Sequence, residues 1–170
     1  AGDDTYVISD ATTVITENNS EGTDLIEASV TYTASANIEK LTLTGSSNLN
    51  ATGNTENNTL TGNSGNNSIN GGTGDDTMAG GAGDDIYVID STSDVVNENS
   101  SEGTDLIQSS VTYTAPTNVE DITLTGGTAL TATGNTDNNK LTGNAASSTL
   151  IGGAGDDTYV ISDATTVITE

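Results

Sequence analysis

Acidic side chains that follow glycine-rich turns are the residues of this chain best suited to chemistry. Asp76, Asp85 and Asp157 each stand sixth in a nonapeptide of the form Gly-Gly-x-Gly-x-Asp-x-U-x, where U is apolar. The opening glycines let the backbone turn sharply with φ > 0 and bring its carbonyl oxygens close together. Carboxylate and carbonyl oxygens are the ligands that Ca²⁺ prefers, about six to eight at a time. The pattern therefore predicts calcium ions bound between turns.

The predicted metal ligands extend beyond the sixth residue of each unit. The neighbouring acidic residue and the glycine carbonyls of the same turn are candidates, and so is Asp4 in a shorter copy of the motif. Several units carry asparagine at the sixth position, where its neutral amide oxygen attracts a cation less strongly. The candidates are Asp4, Asp75, Asp76, Asp84, Asp85, Asp156, Asp157, Gly72, Gly74, Gly81, Gly83, Gly153, Gly155, Asn58, Asn67 and Asn139.

The charge of the chain restricts its partners. The 170 residues include 25 acidic side chains against two lysines, Lys40 and Lys140, for a formal net charge of −23. Two cations cannot neutralise a phosphate backbone, so we expect no nucleic-acid partner. No stretch reaches the ~18 apolar residues of a membrane span. Histidine and cysteine are absent, which excludes Ser-His-Asp, thiol and ordinary zinc sites, and we predict no enzyme.

Composition alone is typical of disorder, but the order of the residues predicts a fold. Only 31% of residues are hydrophobic, and such highly charged chains normally stay unfolded. Yet each nonapeptide ends in a short stretch whose middle residue is apolar and whose neighbours are mostly Thr, Ser or Asn, the pattern of a strand with one inward side chain. The predicted inward residues are Leu60, Ile69, Met78, Tyr87, Leu141, Leu150 and Tyr159.

Two nonapeptides predict one coil of a parallel β-roll or β-solenoid, an all-β fold with roughly 18 residues per coil and about 4.8 Å between coils. Each ion would contact one aspartate turn and one asparagine turn. We expect about one to three ions per repeat block, of the weaker extracellular type with Kd near about 10⁻⁴–10⁻³ M. Turns two units apart would lie above one another, 71–76 on 53–58, 80–85 on 62–67 and 152–157 on 134–139.

The chain also repeats on a longer scale. Residues 154–170 are identical to residues 1–17, and residues 82–98 are a close variant of the same stretch. These copies divide the chain into a first solenoid block, 1–81, a second block, 82–153, and the start of a third, 154–170. The repetition favours a longer array whose period is the combined length of the first two blocks.

Residues 89–125 lack the glycine-pair turns, although apolar residues continue at about nine-residue spacing. The spacing runs through Tyr87, Val96, Leu106 or Ile107, Tyr113 or Ala115, and Leu124. We expect the same solenoid with irregular turns, or else a small cap or excluded loop. Acidic residues recur here and in residues 9–24, and they are either further calcium ligands, with Asp90, Asp94 and Asp10 the candidates, or a solvated acidic face. The other recurring acidic residues of the second stretch are Glu98, Glu102 and Asp105, and their counterparts in the first are Glu17, Glu21 and Asp24.

The nonapeptides GGTGDDTMA and GGAGDDIYV, at 71–79 and 80–88, are adjacent complete copies of the motif. With GGAGDDTYV at 152–160 and the flanking Tyr-Val-Ile, Asp-x-Val-x-Glu and Glu-Gly-Thr-Asp segments, the chain resembles the RTX, or haemolysin-type, calcium-binding repeat family. The resemblance implies a right-handed β-roll, Ca²⁺ as the bound ion, and secretion from bacteria by a type I system. Where Asn58, Asn67 or Asn139 stands at the sixth position, the chain departs from that pattern.

These features favour a structural function. We expect a calcium-rigidified rod in a secreted or cell-surface bacterial protein, such as a filament, surface layer or adhesin stalk, that continues or assembles head to tail. The alternative is a calcium-triggered folding and secretion module of a larger exported enzyme or toxin. A minor alternative is an ice-binding surface, because Thr-x-Thr recurs at Thr31–Thr33 and Thr42–Thr44. Threonine is also a favoured strand residue, and the pairs do not persist in successive units.

Overall fold

The computed structural model describes all residues, 1–170, as a stack of short parallel strands. It contains no helix, and so none long and apolar enough to cross a membrane. The strands are β1 (Thr5–Ile8), β2 (Leu25–Ala28), β3 (Tyr32–Thr33), β4 (Lys40–Leu43), β5 (Asn50–Thr52), β6 (Thr59–Thr61), β7 (Ser68–Asn70), β8 (Thr77–Ala79), β9 (Ile86–Ile89), β10 (Val95–Val96), β11 (Leu106–Ser109), β12 (Tyr113–Thr114), β13 (Asp121–Leu124), β14 (Thr131–Thr133), β15 (Lys140–Thr142), β16 (Thr149–Ile151), β17 (Thr158–Val160) and β18 (Val167–Thr169).

The strands form the two faces of a β-solenoid. One face is an eight-stranded sheet made of the odd strands from β3 to β17, in chain order. The other face consists of a six-stranded sheet, β1-β2-β4-β6-β8-β10, followed by a four-stranded sheet, β12-β14-β16-β18. All pairings are parallel. The predicted all-β solenoid is therefore confirmed.

Coil length follows the sequence unit in the regular part of the stack. Thr59 pairs with Thr77, and Thr77 with Val95, so each of these coils is as long as two nonapeptides. The coil from Thr5 to its partner Leu25 is longer, and the coil from Leu25 to its partner Lys40 is shorter. We call these the long coil and the short coil of the first block.

The second block contains a long coil and a short coil of the same lengths. Ile86 in β9 pairs with Leu106 in β11 across the long coil, and Leu106 pairs with Asp121 in β13 across the short coil. Residues 89–125 therefore continue the solenoid with irregular turns, as expected, and do not form a cap or an excluded loop.

The irregular turns include residues other than glycine at positive φ. Ser20 (φ 62°) and Ser101 (φ 68°) lie in the long coils, and Asn37 (φ 62°) and Asn118 (φ 65°) lie in the short coils. Positive φ is uncommon for residues with a Cβ, although asparagine tolerates it better than most. The two blocks thus change coil length by the same local conformations.

The core is a narrow line of side chains between the two faces. Six of the seven predicted inward residues are fully buried, and Tyr159 in β17 is half-buried. At the ambiguous positions, Ile107 is buried while Leu106 is half-buried, and Ala115 is buried beside a half-buried Tyr113. Full burial of a large aliphatic side chain contributes about 1.5–3 kcal/mol. A chain with few apolar residues can fold because 24 of them are buried in one cluster along this line.

Equivalent strands of the two blocks lie on opposite faces. β1 belongs to the six-stranded sheet, whereas β9, its counterpart in the second block, belongs to the eight-stranded sheet. The first block holds an odd number of nonapeptide lengths, so the second block starts half a coil out of phase. The second block holds an even number, and β17 therefore returns to the same sheet as β9. The acidic turns of successive blocks consequently do not all face the same side of the solenoid.

Candidate calcium sites

The nonapeptide turns stack in the pairs that their spacing predicts. The backbone N–H of Asp75 donates to Asn57 Oδ1 (3.0 Å), and that of Asp84 donates to Asn66 Oδ1 (3.1 Å). The backbone N–H of Asp156 donates to Asn138 Oδ1 (2.8 Å). Each glycine–aspartate turn therefore lies directly on a glycine–asparagine turn of the preceding coil.

The sixth-position carboxylates each have one paired and one unpaired oxygen. Oδ1 of Asp76 accepts from the N–H of Asn58 (2.7 Å), and Oδ1 of Asp85 accepts from the N–H of Asn67 (2.6 Å). Asp157 repeats the contact with the N–H of Asn139 (2.8 Å). Oδ2 of all three aspartates is buried without a hydrogen-bond partner.

An unpaired buried carboxylate oxygen is strongly unfavourable. Burial raises the pKa of Asp76 and raises the pKa of Asp85 to about 7. Both side chains are only 1% exposed, and hard cations compensate buried oxygens of this kind. The three aspartates therefore fit Ca²⁺.

Close backbone approach explains the two opening glycines. A Cβ on Gly71 would overlap Asp76 Oδ2. At the second position, a Cβ on Gly81 (φ +90°) would stand 2.7 Å from the carbonyl oxygen of Asn63 in the turn below. The glycines thus leave room for a carboxylate and for carbonyl oxygens of the neighbouring coil at one place, which is the donor set that Ca²⁺ requires.

Asparagine replaces the second glycine in the other units, and its amide contacts the turn below. Nδ2 of Asn54 donates to the carbonyl oxygens of Ser35 and Ile38, both at 2.8 Å. The same amide position donates to two carbonyls of the preceding coil in Asn63, Asn135 and Asn144. In these turns an uncharged N–H₂ group donates to carbonyl oxygens of the preceding coil, so these oxygens are satisfied without an ion.

The asparagines at the sixth position are buried and already hydrogen-bonded. Asn58 Oδ1 accepts from the N–H of Asn54 (2.7 Å), and its Nδ2 donates to the carbonyl of Ile38 (2.9 Å). Asn67 and Asn139 make the equivalent oxygen contact to Asn63 and Asn135, at 2.8 Å in each case. Their contribution to a calcium site stays a prediction.

The acidic residue at the fifth position of each turn is exposed. Asp84 Oδ1 accepts from the N–H of Thr104 (3.0 Å) in the next coil, and Asp75 Oδ1 accepts from the hydroxyl of Ser91 (3.2 Å). Asp156 is exposed as well. Asp4, the counterpart of Asp85 in the shorter copy of the motif, is also exposed. The candidate glycines Gly72, Gly74, Gly81 and Gly83 are half-buried, whereas Gly153 and Gly155 are exposed in the last coils.

The acidic candidates outside the nonapeptides have local partners. Asp94 is buried, and it accepts from the N–H of Asp76 through Oδ1 (3.0 Å) and from those of Asp90 and Ser91 through Oδ2. Asp10 accepts from both the N–H and the hydroxyl of Thr12, which lowers its pKa. Asp90 is exposed. The contacts of Asp94 and Asp10 are those of turn-capping residues.

Two groups of three carboxylates were visible in the sequence only as recurring acidic residues. Asp85, Glu98 and Asp105 bring ligand oxygens within 4.8 Å of one another, and Asp4, Glu17 and Asp24 do the same. Their spacing is identical in the two blocks, which is the signal that could have grouped them. The groups form because the long coil of each block places its glutamate beside the preceding aspartate turn.

Comparison with protein-family models gives four copies of the RTX calcium-binding nonapeptide repeat, at residues 52–87 and 133–160. Comparisons with curated proteins and with solved structures give no match. The matched segments coincide with the stacked glycine turns and with the unpaired aspartate oxygens described above. These two segments therefore match the RTX calcium-binding nonapeptide repeat, and Ca²⁺ is the ion that such repeats bind.

Proposed function

We propose that this chain is a non-catalytic, calcium-rigidified rod segment of a secreted or cell-surface bacterial protein. RTX repeats are typical of secreted bacterial proteins. The observation that carries the proposal is the single stack of all strands from β1 to β18, in which one eight-stranded parallel sheet covers one face and a six-stranded and a four-stranded sheet follow each other on the other. Because each coil contacts only its neighbours, such a stack transmits load along its axis and extends by adding coils.

Bound calcium supplies the rigidity. Ions that bind the folded turns but not the unfolded chain stabilise the fold by RT ln(1 + [Ca²⁺]/Kd) per site, about 2.7 kcal/mol when calcium is 100-fold above Kd. The chain carries a formal net charge of −23, so the ions also relieve repulsion between coils. Sites of millimolar affinity would be filled outside the cell, which agrees with an extracellular location.

Head-to-tail assembly would cover apolar side chains that the stack leaves exposed near β18. Ile161 is 52% exposed and Ile168 is 46% exposed, whereas their counterparts in the preceding block, Ile89 and Val96, are 0% and 3% exposed. The edge strands also present unpaired backbone groups. A further coil, or the first coil of another copy, would cover both the apolar groups and the strand edge, and repeated head-to-tail contacts would produce a filament.

The alternative is a calcium-triggered folding and type I secretion module of a larger exported enzyme or toxin. The unpaired oxygens of Asp76, Asp85 and Asp157 support it as well, because they disfavour the fold without an ion. In that case the chain would be unfolded before export and would fold in external calcium. Circular dichroism with and without calcium separates a chain that folds only with calcium from a rod that is merely stiffened by it.

Electron microscopy and sedimentation velocity in millimolar calcium test the rod. We expect elongated particles that associate end to end, and an Ile161→Thr/Ile168→Thr variant with weaker association. Val95→Thr is the matched control, because Val95 is 47% exposed but lies in the middle of the stack. Equal association of all three proteins, or monomers only, would count against head-to-tail assembly.

A further inference from the structure

We propose that Asp85, Glu98 and Asp105 form a binding site for a hard divalent cation of the Ca²⁺ class, in addition to the gaps between paired nonapeptide turns. Their ligand oxygens lie within 4.8 Å of one another. The site is in the gap above the 80–85 turn, whereas the paired nonapeptide at 62–67 lies below that turn.

Three separate segments build this carboxylate site. Asp85 ends the glycine turn before β9, Glu98 follows β10, and Asp105 precedes β11. The backbone N–H of Asp85 donates to Asp105 Oδ1 (2.8 Å), which fixes the two aspartates one above the other in adjacent coils. Asp105 is itself held from the next coil, because its N–H donates to Glu120 Oε2 (2.8 Å).

Two buried oxygens in this group have no hydrogen-bond partner. Asp85 is 1% exposed, and with Oδ1 paired to Asn67 its Oδ2 remains free. The Tyr87 hydroxyl donates to Glu98 Oε1, which leaves Glu98 Oε2 free and buried. A Cβ on Gly80 would overlap Asp85 Oδ2 and stand 2.5 Å from the Tyr87 hydroxyl oxygen, so the free aspartate oxygen lies on the tyrosine side.

The charge of the group requires a counter-ion. Three carboxylates converge, and within 4.0 Å no lysine pairs with any of them. Carboxylate oxygens without nitrogen or sulfur ligands suit Ca²⁺ and related ions better than zinc.

The first block repeats the arrangement with its own residues. The N–H of Asp4 donates to Asp24 Oδ1 (2.8 Å), and the Tyr6 hydroxyl donates to Glu17 Oε1 (2.6 Å). The oxygens of Asp4, Glu17 and Asp24 also lie within 4.8 Å of one another. The same three segments, Tyr-Val-Ile, Asp-x-Val-x-Glu and Glu-Gly-Thr-Asp, occur in both blocks. In each block they would place a tyrosine and three carboxylates around one ion.

Terbium luminescence tests the site, because Tb³⁺ replaces Ca²⁺ at oxygen sites and is sensitised by nearby tyrosine. The chain has five tyrosines and no tryptophan. In a Glu17→Gln background, which weakens the first-block group, we expect Tyr87-sensitised emission that millimolar calcium displaces. Adding Glu98→Gln should weaken binding at this site by about tenfold or more and reduce the calcium count from calorimetry by one.

Glu102→Gln is the matched control, because it removes the same charge from the same loop outside the group. Circular dichroism in chelator should show that Glu98→Gln keeps its β-structure, since the amide is isosteric and uncharged. Full emission and an unchanged ion count in Glu98→Gln would overturn the proposal. Asp76 lies in a nonapeptide turn that has no three-carboxylate group. Loss of calcium binding in Asp76→Asn would therefore report on the nonapeptide sites alone.

Discussion

On each side of the solenoid, asparagine turns and aspartate turns stack on one another but satisfy their oxygens differently. Below Asn54, an amide N–H₂ group donates to two carbonyls of the preceding coil. Below Gly72 there is no side-chain donor, and Asp76 Oδ2 in the same turn is buried without a partner. One type of coil junction is therefore complete within the protein, and we predict that an ion completes the other.

The difference gives the two junctions different energetics. A hydrogen bond between neutral groups contributes about 0.5–1.5 kcal/mol net and does not depend on the calcium concentration. An ion-filled junction gains stability as free calcium rises above its Kd. Because both types occur along one stack, the solenoid combines coils of fixed stability with coils of adjustable stability.

Removal of calcium should have the largest effect. We expect chelation to lower the free energy of unfolding by about 2.7 kcal/mol for each site that was 100-fold saturated. Thermal unfolding followed by circular dichroism, in chelator and in millimolar calcium with magnesium as the control ion, measures the change. Identical melting curves would show that the aspartate junctions are complete without an ion.

Gly80→Ala should perturb an aspartate junction directly. The new Cβ would overlap Asp85 Oδ2 and crowd the Tyr87 hydroxyl, and overpacking of this kind costs about 1–3 kcal/mol. Gly127→Ala is the control, because a Cβ there meets nothing within 4 Å. Chemical denaturation of both variants in calcium measures the loss, and equal stability would argue against the close approach.

Asn54→Ala should convert a complete junction into an incomplete one. The carbonyl oxygen of Ser35 would lose its side-chain donor, and that of Ile38 would keep only Asn58 Nδ2. Leaving buried polar groups unsatisfied costs about 1–3 kcal/mol. The loss should be the same in calcium and in chelator, unlike the loss at an aspartate turn. Asn97→Ala controls for the substitution itself, since Asn97 is exposed; a calcium-dependent loss in Asn54→Ala would contradict the division into two junction types.

The sequence was sufficient for the regular part of the fold because each nonapeptide carries its own turn and its own inward residue. Leu60, Ile69 and Met78 are all fully buried, as their spacing predicted. The carboxylate group around Glu98 could not be derived in this way. It depends on the long coil of the second block, whose turn uses Ser101 at φ 68°, and a serine carries no strong signal for that conformation.

Acidification of the calcium-free protein should stabilise it. The folded-state pKa of Asp85 and Glu98 is raised to about 7 and that of Asp105 to about 6 because burial disfavours their charged forms. The folded state therefore binds more protons than the unfolded state between about pH 4 and pH 7, and stability falls as pH rises through that window.

In chelator, we expect a higher melting temperature at pH 5 than at pH 8, by about 2–4 °C for each kcal/mol gained. Asp85→Asn separates this local effect from the general relief of repulsion in a chain of net charge −23. Because the amide needs no proton to become neutral, the variant should respond less to pH than the parent protein. Equal responses would assign the pH dependence to the overall charge, and the aspartate junctions would then differ from the asparagine junctions only in their ion.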